Sequence, residues 1–233
     1  MLPTSQGSFR LFRLFGIQVF LHWTWFILAY YRFQTGKDLY EKPIWMIWEY
    51  VTLFVIVLLH EFGHSLACRS VGGRADTIIL WPFGGIAFVQ PPPRPGANLW
   101  SIAAGPLVNV LLVPVIFGIR TFATASGFAP EYSDPARFLE MLEWINLLLL
   151  VFNILPIYPL DGGQIFQSIL WYFIGHAKSV IVAASTGIVL SVAGGGYLLL
   201  QGEYFVALIA VFLISQSWRS LQWARASLKN NLP

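Results

Sequence analysis

His60, Glu61 and His64 stand in the stretch VTLFVIVLLHEFGHSL (Val51 to Leu66), where an apolar run leads directly into ionisable side chains. The two histidines are four residues apart, and a helix of about 3.6 residues per turn stacks such positions on one face. Two imidazoles so placed can grip one metal ion. Glu61 is offset by about 100° yet can reach a water held by that ion, the arrangement a zinc hydrolase needs. Zinc would lower the pKa of the water to about 7. Glu61 would take the proton as general base and pass it to a leaving amine.

Chance is a poor source for this pattern, since shuffling the same residues yields HExxH in roughly 2 chains per thousand. Ionisable groups inside an apolar segment also cost a few kcal/mol each and by default mark function. Catalytic zinc usually takes three protein ligands and leaves one position for water, so a third donor is needed. Cys68 lies one turn beyond His64 on the same face, and its alternative is a small buried apolar residue. His22 stands in an aromatic run, His176 beside Lys178 at an expected interface, and Asp76 at an expected aqueous edge. Asp161 differs from these. It follows two prolines, Pro156 and Pro159, and precedes Gly162 and Gly163 in NILPIYPLDGG (Asn153 to Gly163). Such residues break a helix and turn the chain sharply. Broken backbone at membrane depth is tolerated only where it is buried in protein or lines a polar cavity, so an acid there reads as a ligand. The alternative is an ordinary helix-ending loop.

The elements that must position these groups follow from composition. Of 233 residues, 57% are apolar and 11% charged, with a mean hydropathy of +0.66. That excludes a soluble enzyme and implies an all-α polytopic membrane protein. At roughly 20 residues per crossing, apolar runs predict about six spans, near Ile17–Tyr31, Ile44–Ala67, Leu99–Ile119, Phe138–Leu160, Val180–Leu200 and Tyr204–Trp218. The first run lacks a small-residue cleavage site and is expected to be retained. Between the second and third spans, ADTIIL and GIAFV flank a Trp-Pro-Phe-Gly-Gly turn, which predicts a small membrane-associated β-hairpin ending at the rigid PPPRP segment. One domain, 1–233, is expected. The single Cys68 excludes an intrachain disulfide, and the net charge of +3 forms no basic run, so nucleic acid is not an expected partner.

With six spans and a cytoplasmic N-terminus, nine Lys and Arg residues fall inside and five outside. This bias favours cytoplasmic termini in a multi-pass cell-membrane protein. HEFGH at the end of span two and Asp161 at the end of span four then reach the same, cytoplasmic side.

Taken together, HEFGH, FGGIAF, AAGPLVN (Ala103 to Asn109) and NILPIYPLDGG resemble the site-2 protease family of intramembrane zinc metalloproteases, in that family's order and over about half the chain. The resemblance implies cleavage of a transmembrane segment of another protein. It implies His60, His64 and Asp161 as ligands of one zinc ion and Glu61 as the catalytic carboxylate. No stretch is polar enough for the appended PDZ or CBS domain that many relatives carry. An exposed strand such as GIAFV could hold an extended substrate by strand addition, with Gly84 and Gly85 allowing close approach; the alternative is a structural hairpin. Asn109 and Asn153 could each bond a substrate carbonyl or an oxyanion, or could bridge helices, with Gly105 and Pro106 permitting close packing. Two other functions fit less well. A zinc-binding scaffold without hydrolysis does not need Glu61, and a metal transporter with broken helices often repeats its interruption in a second half, which this chain lacks.

Overall fold

The computed structural model describes residues 7–36, 38–81 and 84–229. These fall into two compact units, one formed by the residues up to Pro91 with Ala104–Leu150, the other by Pro92–Ala103 with Val151 onward.

The first unit opens with strands β1 (Ser8–Leu14) and β2 (Ile17–His22), an antiparallel pair. Phe15 and Gly16 between them both have positive φ, the backbone that a two-residue hairpin turn requires. The first expected membrane span therefore needs correcting. IQVFLH alternates with a period of two, and Ile17 and Val19 point into the core at 0% exposure. What remains of that span is helix α1 (Thr24–Thr35), whose 12 residues are too few to cross a bilayer.

Helix α2 (Ile44–Ser70) follows, and Gly72, at φ +86°, turns the chain into β3 (Arg74–Trp81). β3 runs parallel to β2, and α1 and α2 lie in the long connection that a parallel pair needs. Strand β4 (Gly84–Gln90) returns antiparallel to β3. The expected hairpin is thus present, but as half of a four-stranded sheet ordered β1-β2-β3-β4. Pro82 and Phe83 of its turn lie outside the described residues. Ile17, Val19, Ile78 and Leu80 of the sheet pack on Trp25 of α1 and on Val57 and Phe62 of α2.

Helix α3 (Pro95–Ala125) contains Pro106 and Pro114, and α4 (Asp134–Ile154) begins with an acidic first turn. Asp134 accepts the backbone N–H groups of Glu41 and Lys42. Beside this junction Glu49, 5% exposed, pairs with Arg32 and accepts the Tyr40 hydroxyl at 2.8 Å.

The second unit contains α5 (Asp161–Ile174), α6 (His176–Leu200) and α7 (Tyr204–Lys229). Gly195 packs against Ala210, and small residues at such a point let α6 and α7 approach closely. Among the described residues, four helices are long and apolar enough to cross a membrane: α2, α3, α6 and α7. Large apolar side chains stay exposed on them, such as Phe122, Leu200 and Leu208, as lipid contact requires. The protein is a membrane protein, mostly helical with one small sheet. α4 is not among the four, since Asp134, Arg137, Glu140 and Glu143 occupy its first half.

Candidate metal centre

In the first unit, His60, Glu61 and His64 lie on the C-terminal half of α2 and are 3%, 4% and 5% exposed. The Nε2 atoms of the two histidines are 3.1 Å apart. Their approach depends on two glycines. Gly63 lies against the backbone of Ala104, and a Cβ at Gly105 would collide with the His64 ring. The glycines of HEFGH and AAGP therefore bring α2 and α3 together where the imidazoles sit.

His60 Nδ1 is 2.6 Å from Oδ1 of Asn109 on α3. Asn109 Nδ2 donates to Asn146 Oδ1 at 2.8 Å, and Asn146 Nδ2 donates back to the backbone carbonyl of Asn109 at 3.0 Å. Both asparagines are fully buried, at 0% and 1%. Sequence reasoning missed Asn146. Its signal was present, a lone amide in the apolar run WINLLLLVF, and had the same weight as the one read at Asn109.

Glu61 faces the sheet. Its Oε2 accepts the backbone N–H of Ala87 on β4 at 2.8 Å. Gly85, two residues earlier, leaves the space that the Glu61 side chain fills, and a Cβ there would overlap the carboxyl.

In the second unit, α4 has ended at Ile154, and Asp161 is the first residue of α5 rather than the last of a fourth span. The prolines force the break, and the chain between them folds over the start of the new helix. The backbone of Ile154 to Tyr158 lies directly on Gly162 and Gly163, where any side chain would collide with it. Gln164 donates to the Pro159 carbonyl at 2.8 Å, closing the turn. A carboxylate on the first turn of a helix sits at the positive end of its dipole. Asp161 is 9% exposed, and Asn153 lies partly buried in the last turn of α4.

His60 and His64 stand together in the first unit, and Asp161 stands at the start of α5 in the second. These residues fit zinc: two imidazole nitrogens and a carboxylate oxygen, all shielded from solvent, leave one tetrahedral position for water. The 3.1 Å between the imidazole nitrogens is close to the ~3.3 Å that separates two nitrogens on one tetrahedral zinc ion. The other candidates have different surroundings. Cys68 is buried against Arg74, and Asp76 is exposed and paired with Arg69. His22 bonds Thr24, and His176 lies between the rings of Trp171 and Trp223.

Apolar helices around a buried His-Glu-x-x-His face define a membrane-embedded protein of the metallopeptidase class. Residues 48–130 and 122–194 match the model of peptidase family M50, and the chain belongs to that family. It is 33% identical over 208 residues to the zinc metalloprotease MJ0392 of Methanocaldococcus jannaschii, covering 88% of this chain and 58% of that protein. Stage IV sporulation protein FB of Bacillus subtilis is 34% identical over 115 residues, 48% of this chain and 37% of its own. The chain thus spans little more than half of the first of these relatives and less of the second. Its fold is similar to the solved site-2 protease from Methanocaldococcus jannaschii, with a TM-score of 0.67 and 30% identity over 92% of this chain and 95% of that one.

Proposed function

We propose that the protein is an intramembrane zinc endopeptidase that cuts a peptide bond within or near the transmembrane segment of another membrane protein. The observation that carries this reading is the buried pair His60 and His64, their Nε2 atoms 3.1 Å apart, with Glu61 one residue from the first of them. His60, His64 and Asp161 would hold one zinc ion, which when bound supplies a Lewis acid and an acidified water at neutral pH. Glu61 takes a proton from the attacking water and returns it to the amine that leaves. Its hydrogen bond to the Ala87 amide holds the carboxylate while it does so.

A transmembrane helix hides its peptide bonds in its own hydrogen bonds, so it must be opened before cleavage. β4 is an end strand of the sheet and can take an extended segment along its outer edge. Gly84 and Gly85, the first two residues of β4, are assigned to the close approach of the substrate backbone. Asn153 is assigned to the substrate carbonyl or the oxyanion. Both amide atoms of Asn109 are engaged by His60 and Asn146, and its work is directed at His60.

The end of α2 that carries His64 is placed toward the cytoplasm. Support comes from the arginines that gather there: Arg69 donates to the carbonyl of Phe15 in the β1-β2 turn, and Arg74 starts β3. Regulated release of a membrane-tethered factor would be a natural use of such an enzyme. The test is reconstitution in lipid with candidate single-span substrates, comparing the native chain with Glu61→Gln. Retained zinc with cleavage lost supports the protease. Zinc movement across the bilayer that is unaffected by the change supports a transporter instead.

A further inference from the structure

Asn109 presents an amide to His60, and an amide can face a ring nitrogen with either its oxygen or its NH2 group. The two orientations have opposite consequences. With the oxygen toward Nδ1, the ring must carry its proton on Nδ1, and Nε2 keeps a lone pair. With NH2 toward Nδ1, the proton moves to Nε2, and the nitrogen that faces His64 can no longer bind a metal.

We propose that Asn146 on α4 is a positioning residue that sets this choice and thereby the metal affinity of His60; the inference rests on the reading of His60 as a zinc ligand. The ordering starts at a group with only one polarity. The backbone carbonyl of Asn109 can only accept, and it bonds Asn146 Nδ2 at 3.0 Å. That contact turns Asn146 Oδ1 toward Asn109, where it accepts Nδ2 at 2.8 Å. Asn109 Oδ1 is left facing His60 Nδ1 at 2.6 Å. Each link leaves the next a single orientation, and burial of both amides keeps water from substituting for either partner. A metal-bound imidazole generally donates its second N–H to such an acceptor, and losing that acceptor's control typically weakens metal binding 10- to 100-fold.

The experiment measures zinc affinity by chelator competition on the full purified chain in detergent, alongside thermal unfolding of the metal-free protein. Asn146→Leu is expected to weaken zinc binding by roughly 10- to 100-fold. Asn109→Asp supplies a carboxylate whose two oxygens both accept, so orientation no longer matters. In that background Asn146→Leu is expected to change zinc affinity less than about threefold, an outcome a merely structural bridge would not produce. Asn146→Ser, which removes the amide with a smaller change in polarity, serves if the leucine variant folds poorly. An unchanged zinc affinity in a destabilised Asn146→Leu, or an equal loss in both backgrounds, overturns the inference. A native chain that takes up no zinc, or keeps it after His60→Ala, overturns the ligand reading beneath it.

Discussion

The Ala87 amide on β4 donates to the Glu61 carboxylate on α2 at 2.8 Å, so the residue assigned to proton transfer is held by the edge strand assigned to the substrate. Gly85 makes this possible by leaving its side-chain space to Glu61. Gly85→Ala should displace the carboxylate by a fraction of an ångström to an ångström. A displacement of that size costs up to ~100-fold in rate. Peptide cleavage by the reconstituted protein should fall 10- to 100-fold while zinc content, measured by elemental analysis, stays near one per chain.

Gly105→Ala should act on the metal instead. Its Cβ would collide with the His64 ring, whereas Gly118 on the same helix has open space where a Cβ would go. Zinc affinity is expected to drop at least tenfold in the first variant and to stay unchanged in the second. Chelator competition on the two proteins checks both values.

Gly162→Ala places a methyl group against the carbonyl oxygens of Ile154 and Leu155. Overpacking of this kind costs about 1–3 kcal/mol, and here it would move the start of α5, where Asp161 sits. Lower thermal stability together with weaker zinc binding is expected. Loss of stability with zinc affinity intact would show that the turn does not position Asp161.

Burial, and after it the hydrogen bond and charge of Glu49, push the Tyr40 phenol above its ordinary value of 10.0. A group whose folded pKa is raised contributes stability that is fully present below its unfolded value and is lost as pH rises through the folded one. Thermal stability should therefore decline above about pH 10, and Tyr40→Phe should flatten that decline. Melting curves from pH 8 to 11 on the two proteins test it.

Glu49→Gln leaves Arg32 beside a neutral amide in a mostly buried site. Breaking one partner of such a pair costs about 3 kcal/mol when burial is complete and less where, as here, the Arg32 side chain is 34% exposed. A drop of about 1–2 kcal/mol is expected, read from denaturant unfolding, with no change in zinc content.

Much of the candidate site was legible because its chemistry is local. The His60-His64 spacing states a shared helix face, and two prolines followed by two glycines state a break beside Asp161. The orders of the spans were harder to read. The run from Ile17 to Tyr31 is apolar enough for a membrane helix, yet Ile17 and Val19 became strand residues because β3 lies alongside to receive them. A strand's neighbour is a distant segment, and no local pattern names it.

The amino-acid sequence by itself determined the membrane class, the imidazole pair on one helix face, the carboxylate of Glu61 beside it and the acid at the helix break, since periodicity, polarity and backbone restriction act within a few residues. Only the tertiary structure decided that β4 would hold Glu61 and that Asn146 would stand behind Asn109. Those contacts join residues 26 and 37 positions apart. Over such separations the partner of a buried donor is settled by which helices and strands pack together, because a polar group away from water must bond whatever that packing brings within reach.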